Sequence, residues 1–398
     1  MIDPLVEGRR LLDFARASAS TPHGFLWLDD NGAPGPAQPV HTWVSARMTH
    51  CFALAHLQGE PGAEALASHG VRALTGSLRD ETYDGWHSSV DVEGTPVDPH
   101  KAAYAHAFVV LAATSAVSAG IDGAEDLLTD ALVVVERHFL DDQWRVVDGL
   151  DRRLDEPDPY RGANSSMHMV EAFLAAGDVT RDPRWHTRAL AIAEHLVHGV
   201  AREFGYHLPE HFAPDWTPLP EYNADSPADQ FRPYGCTPGH LLEWSRLLLN
   251  LEAGLPEPPA WLLPDARSLF SAATRSGWYV DGEPGFVYTV DWDHKPVIRN
   301  RLHWVHAEAV GAAAALHQRT GMDDYADWQQ TFWDFIERFL VDRDGGSWHH
   351  ELDEGNRPVA QLWQGKPDIY HAYQATLLPR LELSPCASVQ LTRRATSG

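Results

Sequence analysis

What most narrows the fold is an alternation. Apolar residues recur at helical spacing in twelve runs, roughly 3–18, 41–58, 62–79, 100–119, 123–140, 163–176, 183–202, 238–253, 259–276, 303–320, 323–341 and 368–382. The connectors between them are short and long by turns. Gln58-Gly-Glu-Pro61, Gly120-Ile-Asp-Gly123 and Gly321-Met-Asp-Asp324 have the length of antiparallel helical hairpins. The long connectors carry Gly24-Phe-Leu-Trp-Leu28, Asp84-Gly-Trp-His87, Asp142-Gln-Trp-Arg-Val-Val147, Gly205-Tyr-His-Leu208, Gly285-Phe-Val-Tyr-Thr-Val-Asp-Trp292 and Gly346-Ser-Trp-His-His350. Each is extended, aromatic and bounded by turn formers, which predicts a short strand or hairpin.

An α-solenoid also repeats helix pairs, but its loops seldom carry this much aromatic decoration. The expected class is therefore all-α, an (α/α)6 toroid with weak internal repetition and its long loops on one rim. A single catalytic domain is expected over 1–383, and 384–398 turns polar and reads as a frayed tail.

A formal charge of −25 opposes nucleic acid and anionic membrane as partners, because phosphate contacts need a basic stripe. No apolar run approaches bilayer length, and Met1-Ile-Asp-Pro-Leu5 lacks the basic and apolar regions of a signal peptide, so a cytoplasmic protein is expected. Cys51, Cys236 and Cys386 are too scattered for a disulfide framework or a zinc site and are read as free thiols. A small molecule is the expected partner; the sequence leaves the oligomeric state open.

If the long loops share a rim, the helix after each one begins there, and polar residues in its first turns meet a cavity. Those sets are Arg47 and His50; Lys101, Tyr104 and His106; Asn164, His168 and Glu171; His240 and Glu243; His303, Trp304, His306 and Glu308; and Asp368, Tyr370, His371 and Gln374. Buried polar groups need partners, so six such sets predict a polar, aromatic-walled pocket. His106, His303 and His306 read as core histidines and His349 and His350 as solvated. His240 and His371 read as working imidazoles, each opening a helix beside a carboxylate, Glu243 or Asp368, that can orient it. Arg47 reads equally as an ion-pair partner of Glu243 or Glu308 and as a substrate ligand. Trp43, Trp304 and Trp363 are packing rings that can also line a pocket.

His168-Met-Val-Glu171 and His240-Leu-Leu-Glu243 share a spacing, but carboxylate-bridged metal bundles use the reverse order, and HExxH, EF-hand, P-loop, GxGxxG and GxSxG signatures are lacking. No metal and no cofactor are expected.

Five pieces together resemble the N-acylglucosamine 2-epimerase superfamily, on the side of its mannose and sulfoquinovose aldose-ketose isomerases. They are Trp43-Val-Ser-Ala-Arg47-Met-Thr-His50, Tyr104-Ala-His-Ala-Phe108, Asn164-Ser-Ser-Met-His168-Met-Val-Glu171, Pro238-Gly-His240-Leu-Leu-Glu243-Trp244 and Lys366-Pro-Asp-Ile-Tyr370-His371-Ala-Tyr-Gln374. The resemblance implies an (α/α)6 barrel and metal-free proton transfer on a monosaccharide through a cis-enediolate. It implies His371 as the main base, His240 held by Glu243 as the second acid/base group, and Arg47 as the stabiliser of negative oxygens. His168, Asn164 and Tyr104 would bind hydroxyls.

The implied reaction is D-mannose to D-fructose, with lyxose and xylulose as related sugars. Readings left open are a 2-epimerase, which needs two opposed bases, and a sulfoquinovose isomerase drawing on Arg232, Arg299 or Arg301. More remote are an inverting glycosidase built on Glu243 or Glu308 with Asp368, and a sugar-binding module without turnover.

Overall fold

A computed structural model describes residues 2–35 and 37–397. All twelve expected helices are present: α1 Pro4–Ala15, α2 Thr42–Leu57, α3 Ala63–Thr75, α4 Ala103–Ser118, α5 Ala124–His138, α6 Ala163–Thr180, α7 Arg184–Ala193, α8 Pro238–Gly254, α9 Leu262–Gly277, α10 His303–Thr320, α11 Asp323–Phe335 and α12 Tyr370–Leu377. Two run on as π-helix, α7 through Glu194–Ala201 and α11 through Ile336–Leu340. The expected frayed tail is corrected by α13, Ala387–Ser397, which packs on α2, α4 and α6. Its polar composition hid a narrow buried face: Ser388, Gln390 and Leu391, with Cys386 just before the helix, are buried, and Thr392 bonds the Ser118 carbonyl.

The helices are of two kinds, and burial explains which is which. In α4, Ala105–Ala116 is buried around its whole circumference, whereas α5 buries Ala124, Leu127, Leu128, Ala131, Leu132, Val134 and Val135, a single stripe. Helices α2, α4, α6, α8 and α10 are the enclosed kind; α3, α5, α9 and α11 lie against them with polar outer faces.

Contacts divide the chain into two compact units: 1–11, 193–366 and 371–383 in one, and 12–192, 367–370 and 384–398 in the other. The first unit packs α8 beside α10, with α9 on α8 and α11 on α10. The second packs α4 between α2 and α6, with α3 on α2 and α5 on α4.

None of the enclosed helices that follow a long connector has a side-chain cap. Backbone from another connector takes over that work. Residues 40–41 pair antiparallel with 89–90, 101–102 with 149–150, and 301–302 with 351–352. The ladder then continues into the helix: Thr42 N–H donates to Ser88 O at 3.0 Å, Ala103 to Asp148 at 2.8 Å and His303 to His350 at 3.1 Å. Side chains in these first turns are thereby released from capping.

Candidate active site

In the first unit, α8 carries His240, Glu243 and Arg246 at intervals of three, α10 carries Trp304 and Glu308, and α12 carries His371 in its first turn. His371 Nδ1 lies 2.8 Å from Glu308 Oε1, both buried. An ionised carboxylate only accepts, so Nδ1 carries the hydrogen and the ring's basic nitrogen is Nε2. The other Glu308 oxygen faces Arg246, with Nε at 3.1 Å and Nη2 at 3.0 Å, and Arg246 Nη2 reaches Glu243 Oε1 at 3.5 Å. Gly311 leaves room for the arginine: a methyl group there would stand 3.1 Å from Arg246 Cδ.

His240 is not held by Glu243. Its Nδ1 lies 2.9 Å from Oε1 of Glu210, a connector residue, because Glu243 is turned along the helix toward Arg246. Trp304 packs against both imidazoles, at 5.0 Å from His240 and 5.7 Å from His371 between ring centroids. Gly239 permits that approach, since a Cβ at this position would come within 2.5 Å of the indole. His303 stacks on His350 at 3.8 Å, so His350 is buried, contrary to the expectation of a solvated residue, while His349 is half-buried near Asp342. The reason is the 301–302 to 351–352 pairing, which draws that connector inward.

The second unit assembles a different group. Arg47 donates to Tyr104 Oη at 2.7 Å and meets Asp368 Oδ2 at 3.4 Å. Its guanidinium carbon sits 4.2 Å from the Phe108 ring, 4.8 Å from Tyr370, 5.0 Å from Trp43 and 5.6 Å from Tyr104. Four rings thus cage one cation, which desolvates it and strengthens its field. Asp368 is therefore not the carboxylate that orients His371: its Oδ1 caps Tyr370 N–H at 2.9 Å and its Oδ2 faces Arg47. Tyr370 donates to Glu171, whose Oε2 is also 3.7 Å from His168 Nδ1. The His168 ring packs on Phe108 at 4.6 Å and Tyr104 at 5.2 Å. Asn164 opens α6 with its Oδ1 buried and without a hydrogen-bond partner among the described residues.

Sequence reasoning missed Arg246 and Glu210. The spacing could have found Arg246, three residues past Glu243 in an apolar helix. Nothing local marks Glu210 within Leu208-Pro-Glu-His211.

Of the arginines considered for a sulfonated sugar, Arg301 is buried in a two-pronged pair with Asp281 at 2.7 and 2.8 Å, and Arg299 lies 3.8 Å from Glu354 on the surface. Ligand atoms of Glu243, Glu308 and His371 lie within 4.8 Å of one another, but Arg246 already bonds one of these carboxylates and stands 3.5 Å from the other.

Carboxylate-held imidazoles and a caged guanidinium are groups for moving protons and steadying anionic oxygen. The chain belongs to the N-acylglucosamine 2-epimerase (GlcNAc 2-epimerase) family, whose model matches residues 24–375. It is 55% identical over 381 residues to a D-mannose isomerase of Thermobifida fusca, covering 95% of this chain and 94% of that one. A D-mannose isomerase of Pseudomonas cannabina pv. alisalensis is 51% identical over 385 residues, covering 96% and 92%. Among solved structures, a crystal structure of D-mannose isomerase superposes with a TM-score of 0.88 at 28% identity, covering 95% of this chain and 97% of that one. The chain is an isomerase of the all-α, (α/α)6 class. No helix among the described residues is long and apolar enough to cross a membrane.

Proposed function

We propose that this protein interconverts D-mannose and D-fructose, with lyxose and xylulose as related substrates, by metal-independent proton transfer through a cis-enediolate. The observation that carries the reading is the buried His371–Glu308 pair at 2.8 Å, which makes Nε2 the basic atom of an oriented imidazole. His371 takes the proton from C2 of the open-chain aldose and returns it to C1, with Glu308 supporting the imidazolium between the two transfers. Arg47, desolvated by its aromatic cage, is assigned the stabilisation of negative charge on the substrate oxygens. His240 assists as a second acid/base group in ring opening, and Asn164, His168 and Tyr104 bind hydroxyls.

Metal independence is supported by Arg246, a built-in cation that serves Glu308 where an ion would otherwise be needed. The same pairing speaks against a glycosidase, since Glu308 bonds Arg246 and Asp368 faces Arg47, so both carboxylates are engaged as ion-pair acceptors. Three buried cysteines outside any disulfide support a cytoplasmic location.

Proton NMR of the chelator-treated protein with D-mannose in deuterated water tests the reading. Fructose is expected, with solvent deuterium confined to C1 and C2. An unchanged spectrum would overturn it. The second carboxylate-held imidazole, His240 with Glu210, favours one competing outcome, glucose as the first product, which would make the protein a 2-epimerase.

A further inference from the structure

We propose that Glu210 is the positioning residue of His240, fixing which ring nitrogen does the proton transfer. Glu210 precedes the short strand 211–212, thirty positions before His240, and its carboxylate is almost wholly buried. Oε1 lies 2.9 Å from His240 Nδ1, while Oε2 is buried with no hydrogen-bond partner among the described residues. A buried carboxylate oxygen left without a donor costs free energy. Such an arrangement persists when the carboxylate serves a group that becomes cationic during turnover, and His240 is that group.

The His371–Glu308 pair has the same construction. In both, a carboxylate from another segment of the chain meets Nδ1 of a histidine in the first turn of its helix, and in both the ring packs on Trp304, tilted by 33° for His240 and 38° for His371. Nδ1–H is thereby committed to the carboxylate in each ring, and Nε2 is the nitrogen that exchanges a proton with substrate. Glu210 touches no reacting atom in this scheme; it fixes the tautomer and supports the imidazolium. Glu243, three residues from His240, is excused from that duty and faces Arg246.

The activity arm of the test rests on the isomerase reading above; the spectroscopic arm does not. Nitrogen-15 NMR of the full-length protein labelled at histidine is expected to show His240 as the Nδ1–H tautomer, with Glu210→Gln giving a mixture. With D-mannose, Glu210→Gln is expected to lower kcat about 10- to 100-fold while KM stays within about threefold. In a His240→Gln background the same change should cost less than about twofold more, because Glu210 acts through His240. Glu210→Asp keeps the charge and should recover part of the loss; should Glu210→Gln not fold, this variant and the wild-type nitrogen pattern decide. An Nε2–H tautomer in the wild type, a pattern unmoved by substitution of Glu210, or fully additive losses in the double variant would each overturn the proposal. A wild type that leaves D-mannose untouched would sink the isomerase reading instead, with the nitrogen pattern still deciding the role of Glu210.

Discussion

Residues 85–108 and 285–308 build the same device and end in different chemistry. Each begins with a glycine at positive φ, 80° at Gly85 and 104° at Gly285. In each, the next backbone N–H donates to a buried histidine Nε2, Trp86 to His106 at 3.1 Å and Phe286 to His306 at 3.0 Å. Each histidine spends its Nδ1 on the carbonyl four residues back, Ala102 or Leu302, at 2.7 and 2.9 Å. Each has a buried cation entering the helix, Lys101 on Asp80 at 2.9 Å and Arg301 on Asp281 at 2.7 Å. Two residues past each histidine the copies part. Phe108 lies under the Arg47 guanidinium, and Glu308 stands between His371 and Arg246. One scaffold aims a side chain at a fixed place, and that side chain alone decides between a cation cage and a base support.

The largest expected effect breaks the comparison at that position. Glu308→Gln removes the charge behind His371 and should lower kcat by about 100-fold or more, whereas Phe108→Leu should cost no more than about tenfold; steady-state kinetics on D-mannose separates them. Next is the entering cation. Arg301→Met leaves Asp281 buried without its two-pronged partner and should cost about 3 kcal/mol in urea unfolding. Lys101→Met should cost clearly less, because Arg152 still bonds Asp80 at 2.9 and 3.2 Å; equal losses would refute the distinction.

The smallest effect concerns the shared histidines. Burial pushes both His106 and His306 down to about 3. The unfolded chain titrates near 6.5 and so binds more protons between these values, which means stability rises with pH there. The contribution of each neutral imidazole is complete above about pH 6.5 and is lost as pH falls toward about 3. Urea midpoints at pH 7 and pH 5 should differ, and substituting either histidine by leucine should flatten that slope about equally while costing about 1–2 kcal/mol at pH 7 for the lost backbone partner. A slope unchanged in both variants would contradict the buried-neutral assignment.

How legible the site was depended on whether partners lie on one helix. His371, His240, Arg47 and Glu308 were all visible as polar residues interrupting apolar helices. Their pairings were not. Sequence proximity suggested Glu243 for His240 and Asp368 for His371; the actual partners, Glu210 and Glu308, lie 30 and 63 residues away. A helix turns neighbours three apart onto one face, yet each chooses the strongest opposite charge it can reach, and Glu243 finds Arg246 while Asp368 finds the end of its own helix and Arg47. Helix α13 escaped notice for a related reason: its buried face is largely polar, Ser388 and Gln390 beside Leu391, and does not register until the surface it covers is known.

By itself, then, the sequence determined the helix count up to residue 383, the alternation of connectors and the residue types at the head of each enclosed helix, because periodicity and turn chemistry are local properties of the chain. Which nitrogen meets which carboxylate, which arginine is caged by rings and which carboxylate is neutralised by Arg246 were decided only by the tertiary structure. Those outcomes depend on distances between segments far apart in sequence, and Coulombic and hydrogen-bond energies are set by such distances and by burial.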